Sequence, residues 1–171
     1  MTGAVIKTAR LELRPMVHSD AEAVAALLNN LAVSRWLTVV PYPYTVADAD
    51  GFIAENRAGR VLSWSIYADD TLIGNVGGGA ALGYWLGEPY WGRGYGTEAA
   101  KAARDHHFEN TDASFMHSEY FLGNAASAKI LTKIGMIPTD KATTACAALG
   151  TQVQAQRMKL TRDRWEAIRY D

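Results

Sequence analysis

Alternating apolar and polar residues along the chain predict its strands, and longer apolar-rich segments with capping residues predict its helices. Strands are predicted over residues 10–15, 61–68, 71–76, 81–86, 114–121 and 152–160. Helices are predicted over residues 23–28, 45–57, 94–108, 125–134 and 161–168. Residues 31–37 are ambiguous, and residues 139–150 are either irregular or a strand with a loop.

Capping residues set the predicted ends of three helices. Ser19 and Glu22 form a capping-box pattern at the start of the first helix. Thr45 and Asn124 are the side chains expected at the N-caps of two later helices, because their oxygens accept a backbone N–H. Gly135 is expected to close the helix that Asn124 opens, in the left-handed conformation.

The order of the predicted elements indicates an α/β (α+β) fold in one domain, residues 1–171. Asp69-Asp70 predicts the tight turn of a hairpin, and Gly77-Gly78-Gly79 predicts a bulge or a flexible turn. We therefore expect a mixed sheet that is mostly antiparallel in its first half, with parallel pairing only where a helix connects two strands.

A glycine-rich turn follows the strand at 81–86. Glycines stand at positions 92, 94 and 96, and Thr97 and Glu98 then open an alanine-rich helix. Such a turn directs backbone N–H groups, together with a helix N-terminus, at a phosphate or pyrophosphate. A dinucleotide-binding fingerprint lacks its third glycine here, because Thr97 takes that place, and no Gly-Lys-Ser/Thr of a P-loop is present.

Composition narrows the classes of function. The net charge is −1 and no basic stripe is present, so we expect neither nucleic acid nor an anionic membrane as a partner. No apolar run approaches the roughly 20 residues that span a bilayer. The single cysteine, Cys146, excludes an internal disulfide and is consistent with a cytoplasmic location. No spacing of His, Cys or carboxylate residues predicts a metal site.

Four segments of the chain resemble the GNAT acetyltransferases, in particular their RimJ/RimL-like branch of ribosomal-protein N-terminal acetyltransferases. Gly94-x-Gly96 supplies the glycines of the Gln/Arg-x-x-Gly-x-Gly/Ala motif, with Trp91 in the place of Gln or Arg. The other three segments are the first strand, the segment after Asn124 and the chain's end. They read Thr8-Ala9-Arg10-Leu11-Glu12-Leu13-Arg14-Pro15, Asn124-Ala125-Ala126-Ser127 with Leu131-x-Lys133-x-Gly135-Met136, and Leu160-Thr161-Arg162-x-x-Trp165.

The resemblance implies acetyl-CoA as co-substrate and a single GNAT domain. Its central sheet would hold about six or seven strands, flanked by helices and splayed at the strand 81–86. The glycine turn would bind the pyrophosphate, and the strand before it would hold the pantetheine and thioester. The implied CoA-binding residues are Tyr84, Trp85, Leu86, Trp91, Gly92, Arg93, Gly94, Tyr95, Gly96, Thr97, Asn124 and Ser127.

Catalysis by such an enzyme requires a neutral amine and a departing thiolate. Glu88 and Glu119 are candidate general bases, and His117 is a weaker one; each glutamate is otherwise a surface or ion-paired residue. Many GNAT enzymes protonate the thiolate with a tyrosine, but that position is Leu131 here. Ser127 is the hydroxyl that the RimJ/RimL-like group offers instead, and its alternative is a structural hydroxyl on the helix.

The acceptor amine is expected on the opposite side of the sheet from CoA. Trp36, Tyr42 and Tyr44, around the prolines at 41 and 43, would wall that site together with residues 140–150, although aromatic residues there also suit packing. The favoured acceptor is a protein N-terminal α-amine, and a small-molecule amine or amino-acid derivative is the alternative. A non-catalytic acyl-CoA-binding module is the alternative of another class. The assembly is expected to be a monomer or a homodimer.

Overall fold

Strands in the described part of the chain form two antiparallel sheets. The computed structural model describes residues 3–171. The larger sheet follows chain order, with strands β1 (Ile6–Lys7), β2 (Glu12–Pro15), β3 (Ser63–Ala68), β4 (Thr71–Gly78) and β5 (Leu82–Leu86). The smaller sheet has the order β6-β8-β7, with strands β6 (Phe115–Phe121), β7 (Ile137–Cys146) and β8 (Thr151–Thr161).

Helices cover both faces of the larger sheet. They are α1 (Ala21–Leu28), α2 (Leu31–Ser34), α3 (Val46–Arg57), α4 (Tyr95–Asn110), α5 (Ala125–Lys133) and α6 (Arg162–Ile168). Helices α4 and α5 pack over a first core that includes Trp64, Ile66 and Leu131. Helices α1 and α3 pack over a second core that includes Met16, Ile53 and Leu72. Each sheet face is therefore buried by apolar helix faces.

The α/β fold with helices around antiparallel strands is confirmed, and the strand count is larger than predicted. Residues 3–171 contain eight strands in two sheets, where about six or seven in one sheet were expected. The two sheets meet at an isolated parallel bridge between Ala81 and His117. The short β1 was not predicted, because two residues carry too little alternation to be recognised.

The predicted bulge or flexible turn at the three consecutive glycines is wrong for the first two, which pair in regular register with β5, and of the three only Gly79 lies in a bend. Gly77 and Gly78 lie inside β4, which continues two residues beyond the predicted end. A Cβ on Gly78 would lie 2.3 Å from Cζ3 of the Trp64 ring, a side chain with no exposed surface. Glycine is therefore required at position 78 by the packing of Trp64 and not by a turn.

The start of α1 also differs from the prediction. The helix begins at Ala21, and the capping box between Ser19 and Glu22 does not form. The carboxylate of Asp20 is buried instead, where it accepts hydrogen bonds from the Val17 N–H and from the hydroxyl of Ser65 on β3. Tertiary contacts to the sheet thus replace a local cap.

The other predicted caps are confirmed. The Thr45 hydroxyl accepts from the Asp48 N–H, and Asn124 Oδ1 accepts from the Ser127 N–H. Gly135 ends α5 with a φ of +99°. The hairpin turn Asp69-Asp70 has φ values of +47° and +59°, as a two-residue type I′ turn requires. No helix within residues 3–171 is both long and apolar enough to cross a membrane.

Candidate active site

A cleft opens where β5 and β6 separate. The two strands touch at Ala81, where the His117 N–H donates to the Ala80 carbonyl over 2.9 Å, and at Leu82, whose carbonyl accepts from the Ser118 hydroxyl over 2.8 Å. Past Leu82 the two strands diverge, and within residues 3–171 no ladder of backbone hydrogen bonds joins them. The resulting cleft has a volume of 1780 Å³ and crosses the molecule between its two sheets. The splay expected at residues 81–86 is therefore present.

The register of β5 directs part of its backbone into this cleft. The Gly87 N–H donates to the Ile73 carbonyl of β4 over 2.8 Å, so the odd-numbered residues of β5 bond to β4. The N–H and C=O groups of the even-numbered residues 82, 84 and 86 point the other way, toward β6. The Leu86 carbonyl accepts from the Trp91 indole over 2.8 Å. The backbone of Tyr84 thus faces the gap between β5 and β6.

The glycine turn lies at the mouth of the cleft. Gly92 and Gly94 have φ values of +73° and +79°, which a residue with a Cβ adopts only with strain. The first backbone bond of α4 runs from the Glu98 N–H to the Gly94 carbonyl over 3.1 Å. The preceding N–H groups of residues 95–97 have no acceptor within the helix, so they are available to an anion, with the helix dipole behind them.

An arginine that was not among the predicted site residues holds the outside of this turn. Arg10 Nη1 donates to the Arg93 carbonyl over 2.8 Å, and Arg10 Nε pairs with a Glu98 carboxylate oxygen over 2.8 Å. The guanidinium also lies over the Tyr95 ring, 4.6 Å from its centroid. Because Arg10 contacts the turn from both sides of Gly94, it fixes the backbone that presents the N–H groups.

The contacts of Thr8, Arg10 and Glu98 form a brace that holds the glycine turn, and the Glu98 carboxylate is its centre. It also accepts from the Thr8 hydroxyl and from the Arg10 backbone N–H, the latter over 2.8 Å. Burial alone would raise the pKa of Glu98, but the hydrogen bonds from Thr8 and Arg10 outweigh burial and lower it. The anionic carboxylate therefore ties the first strand to the start of α4. Through these contacts the segment Thr8–Arg10, which precedes β2, is bound to the first turn of α4.

Two hydroxyl groups meet on the helix side of the gap. The Tyr84 phenol lies 2.8 Å from Ser127 Oγ, in the first turn of α5. Burial raises the pKa of Tyr84 to about 12. Asn124 fills its N-cap role and lines the cleft as well. Leu131, at the position where many GNAT acetyltransferases have a tyrosine, has no exposed surface and lies in the first core.

The structure separates the two candidate bases. Glu119 is half-buried on β6 and lines the cleft, and His117 lies two residues before it on the same strand face. Glu88 is exposed outside the cleft lining, where its carboxylate accepts from the Asn30 amide over 2.7 Å. Glu119 is thus the carboxylate that the fold brings to the gap.

The acceptor side of the cleft has an aromatic wall. Trp36 and Tyr44, two of the three aromatic residues expected at the acceptor, line the cleft, and Trp85 and Phe52 extend this wall. Tyr44 is 7% exposed and belongs to the second core. Tyr42 is 45% exposed and lies outside the cleft lining. Residues 140–150 do not line the cleft either.

Two lysines on α5 complete the lining. Lys129 and Lys133 are one helical turn apart, so they lie on the same side of the helix, near the glycine turn. They were not among the predicted site residues, although their i, i+4 spacing after Asn124 was a usable signal. Arg93, which was predicted to bind phosphate, is exposed and outside the cleft lining. The basic side chains that line the cleft are therefore Lys129 and Lys133 of α5 together with Arg60, Arg157 and Lys159, and none of them belongs to the glycine turn.

A sequence profile of the acetyltransferase (GNAT) domain family matches residues 10–137. The uncharacterized N-acetyltransferase p20 of Bacillus licheniformis is 27% identical over 142 residues, covering 74% of this chain and 79% of that protein. The uncharacterized N-acetyltransferase YoaA of Bacillus subtilis (strain 168) is 27% identical over 144 residues, covering 77% of this chain and 81% of that protein.

Solved structures share the fold over nearly the whole chain. RimL, a ribosomal L7/L12 alpha-N-protein acetyltransferase in complex with coenzyme A, aligns with a TM-score of 0.81 at 18% identity, over 94% of this chain and 99% of that one. The microcin C7 self-immunity acetyltransferase MccE, in complex with acetyl-CoA and AMP, aligns with a TM-score of 0.78 at 17% identity, over 90% and 93% respectively. At these identities the likeness is one of fold.

Proposed function

The chain belongs to the GNAT acetyltransferase domain family, and we propose that it transfers the acetyl group of acetyl-CoA to a protein N-terminal α-amine. The observation that carries the proposal is the gap between β5 and β6. One strand edge with outward-facing backbone groups, at Tyr84, lies in line with a glycine turn that presents helix N–H groups. A pantetheine arm and a pyrophosphate need these two features side by side.

The residues present fit CoA along the whole cleft. The N–H groups of residues 95–97 would bind the pyrophosphate, and Lys129 and Lys133 would add positive charge near the phosphates. The backbone N–H and C=O of Tyr84 would pair with the pantetheine amides as a missing strand does. Asn124 and Ser127 would contact the arm from α5.

Transfer follows by direct attack of the amine. The amine nitrogen forms a bond to the thioester carbon, and the oxyanion that develops is stabilised by a β5 N–H. The C–S bond then breaks, the sulfur keeps the electron pair, and the nitrogen loses a proton. Glu119 would take that proton directly or through a water. Ser127 would donate a hydrogen bond to the departing sulfur.

An α-amine suits this site better than a lysine side chain. Its pKa is about 8, against about 10.4 for a lysine, so less help from a base is needed at neutral pH. RimL, with the same fold, is named for acetylating the α-amine of a ribosomal protein. A small-molecule amine is the second candidate, because the aromatic wall of Trp36, Trp85 and Phe52 would also hold a compact apolar acceptor.

Release of free CoA thiol in steady state tests the proposal. The full chain is given acetyl-CoA with peptides that carry a free N-terminus, with the same peptides acetylated at the N-terminus, and with a panel of small primary amines. We expect release with the free peptides and none with the blocked ones. Release with small amines alone would move the acceptor to that class. Tight CoA binding without release on any amine would contradict transfer and leave an acyl-CoA-binding module.

Two matched glutamine variants test the base. Glu119→Gln should lower kcat about 10²-fold at neutral pH, because the amide cannot accept the proton of the attacking amine. The loss should shrink as the pH rises above about 8, where an α-amine is already neutral without a base, in pH profiles of kcat. Glu88→Gln should keep the wild-type profile, since Glu88 lies outside the cleft lining. Equal losses in both variants, or none in Glu119→Gln, would contradict the role given to Glu119.

A further inference from the structure

The side chain of Tyr84, as well as its backbone, takes part in the cleft. Its side chain crosses from β5 to the first turn of α5, and its phenol oxygen lies 2.8 Å from Ser127 Oγ and 3.4 Å from the Ser127 carbonyl. The ring packs against the first core, so the phenol is held at this place. Strand and helix are thereby joined beside the gap through a single side-chain hydrogen bond.

Distance is the basis on which we assign the direction of this hydrogen bond. The half-buried phenol has two acceptors in reach, and we take its proton to go to the nearer one, Ser127 Oγ at 2.8 Å, and not to the Ser127 carbonyl at 3.4 Å. Once Ser127 Oγ accepts from Tyr84, the serine's own proton is free to point into the cleft that Ser127 lines. Because the pKa of Tyr84 is raised to about 12, the phenol remains a donor at every pH used for an assay.

We propose that Tyr84 is a positioning residue for Ser127, whose hydroxyl it orients and polarises so that the serine donates its proton in a hydrogen bond to the CoA sulfur. The inference rests on the proposed function, because it takes CoA as the ligand of this cleft. Tyr84 makes and breaks no covalent bond. When the C–S bond breaks, the sulfur takes the electron pair, and the chain from Tyr84 through Ser127 stabilises the thiolate.

Tyr84 and Ser127 together would supply the hydrogen-bond donor for the leaving sulfur that the apolar Leu131 cannot supply. A buried leucine offers no donor to the leaving sulfur. A serine alone is a free rotor, whereas a serine that accepts from a fixed phenol has fewer orientations open to its own proton. Hydrogen bonds in a chain also strengthen one another. The stabilisation of the sulfur anion should therefore depend on both hydroxyl groups and should be lost when either is removed.

The pKa of the CoA thiol in the binary complex measures this directly and needs no acceptor. It is read from the ultraviolet absorbance of the thiolate as the pH is raised, with desulfo-CoA as the reference that cancels protein absorbance. Wild type, Tyr84→Phe, Ser127→Ala and the double variant are compared. Tyr170→Phe is the matched control, because Tyr170 is 87% exposed and outside the cleft lining.

In wild type and Tyr170→Phe the bound thiol should ionise about one pH unit below free CoA, as one charge-assisted hydrogen bond predicts. Tyr84→Phe and Ser127→Ala should each return the thiol pKa toward the value of free CoA. The double variant should equal Ser127→Ala alone, because the two groups act as one chain. In turnover, Tyr84→Phe should lower kcat about tenfold with KM for acetyl-CoA unchanged.

Three results would overturn the inference while leaving the proposed function intact. They are a thiol pKa in Tyr84→Phe equal to wild type, effects of the two variants that add in the double variant, and a loss in Tyr84→Phe that appears only as weaker CoA binding. The last would mean a structural role. Failure of the wild-type chain to bind CoA at all would instead refute the proposed function, and the inference with it.

Discussion

Glu98 is the residue on which the shape of the glycine turn depends. Its carboxylate collects hydrogen bonds from the Thr8 hydroxyl, the Arg10 N–H and the Arg10 guanidinium, and the same guanidinium holds the Arg93 carbonyl. The N–H groups offered to phosphate are therefore held by a partner outside the phosphate site. A change at Glu98 should affect stability and CoA affinity together.

We predict that Glu98→Gln lowers the free energy of unfolding by about 1–3 kcal/mol at neutral pH and weakens CoA binding about tenfold. The pKa of Glu98 is lowered in the folded state, so its contribution is present above the unfolded carboxyl pKa and is lost as the pH falls through the lowered folded value. The difference between wild type and variant should shrink in acid, in denaturant titrations at several pH values.

Glu109→Gln is the matched control on the same helix. Glu109 pairs with Arg169 over 2.9 Å and its side chain is 49% exposed, so the variant should change stability by at most about 0.5 kcal/mol. CoA affinity should stay at the wild-type value. A loss of affinity in Glu109→Gln equal to that in Glu98→Gln would show that the brace around Arg10 is not the cause.

Whether a residue of the candidate site could be predicted depends on how far away in the sequence its contact partner lies. Local features were predictable: the turn glycines at 92 and 94 and the N-cap Asn124 depend on neighbours along the chain. Arg10 and Glu98 are 88 positions apart, and Tyr84 and Ser127 are 43 apart. Such contacts exist only after folding, so no pattern in the sequence indicated them.

Among the strands and helices, β4 packs its last residues against Trp64 of the first core. This strand runs to Gly78, where the backbone lies so close to the Trp64 ring that a Cβ would be 2.3 Å from Cζ3. Periodic patterns predicted the long elements, because a strand or helix with one buried face repeats a simple spacing. They failed at the glycine run, since glycine has no side chain whose pattern reports burial, and at the two-residue β1.

Gly78→Val should destabilise the protein by about 3 kcal/mol, because the new side chain has to displace the buried Trp64 ring. Gly79→Ala is the matched control. A Cβ at position 79 has nothing within 4 Å, so this variant should unfold at the wild-type denaturant concentration. Equal midpoints for Gly78→Val and wild type would contradict the packing described for β4.

On the scale of the whole molecule, the cleft is a consequence of two sheets that share one short contact. The first core lies under α4 and α5, the second under α1 and α3, and the gap between β5 and β6 reaches both sides. Donor and acceptor would thus enter from opposite faces and meet at Tyr84. The two sheets must therefore keep a fixed relative position, because a small shift of one sheet would increase the distance between the thioester carbon and the amine nitrogen.

A single domain over residues 1–171 stays a prediction, and unfolding tests it. Transitions in denaturant followed by far-ultraviolet circular dichroism and by tryptophan fluorescence should coincide, since Trp64 and Trp85 report on different cores. CoA at about 100 times its dissociation constant should raise the unfolding free energy by about 2.7 kcal/mol for both probes. Two separate transitions would mean that the cores unfold independently.

A crystal structure of the full chain with CoA tests the central claim most directly. We expect pyrophosphate oxygens about 2.7–3.2 Å from the nitrogen atoms of the N–H groups of residues 95–97. We also expect the pantetheine along the β5 edge at Tyr84 and the sulfur beside Ser127. A pyrophosphate bound away from the glycine turn, or a pantetheine outside the gap between β5 and β6, would contradict the claim.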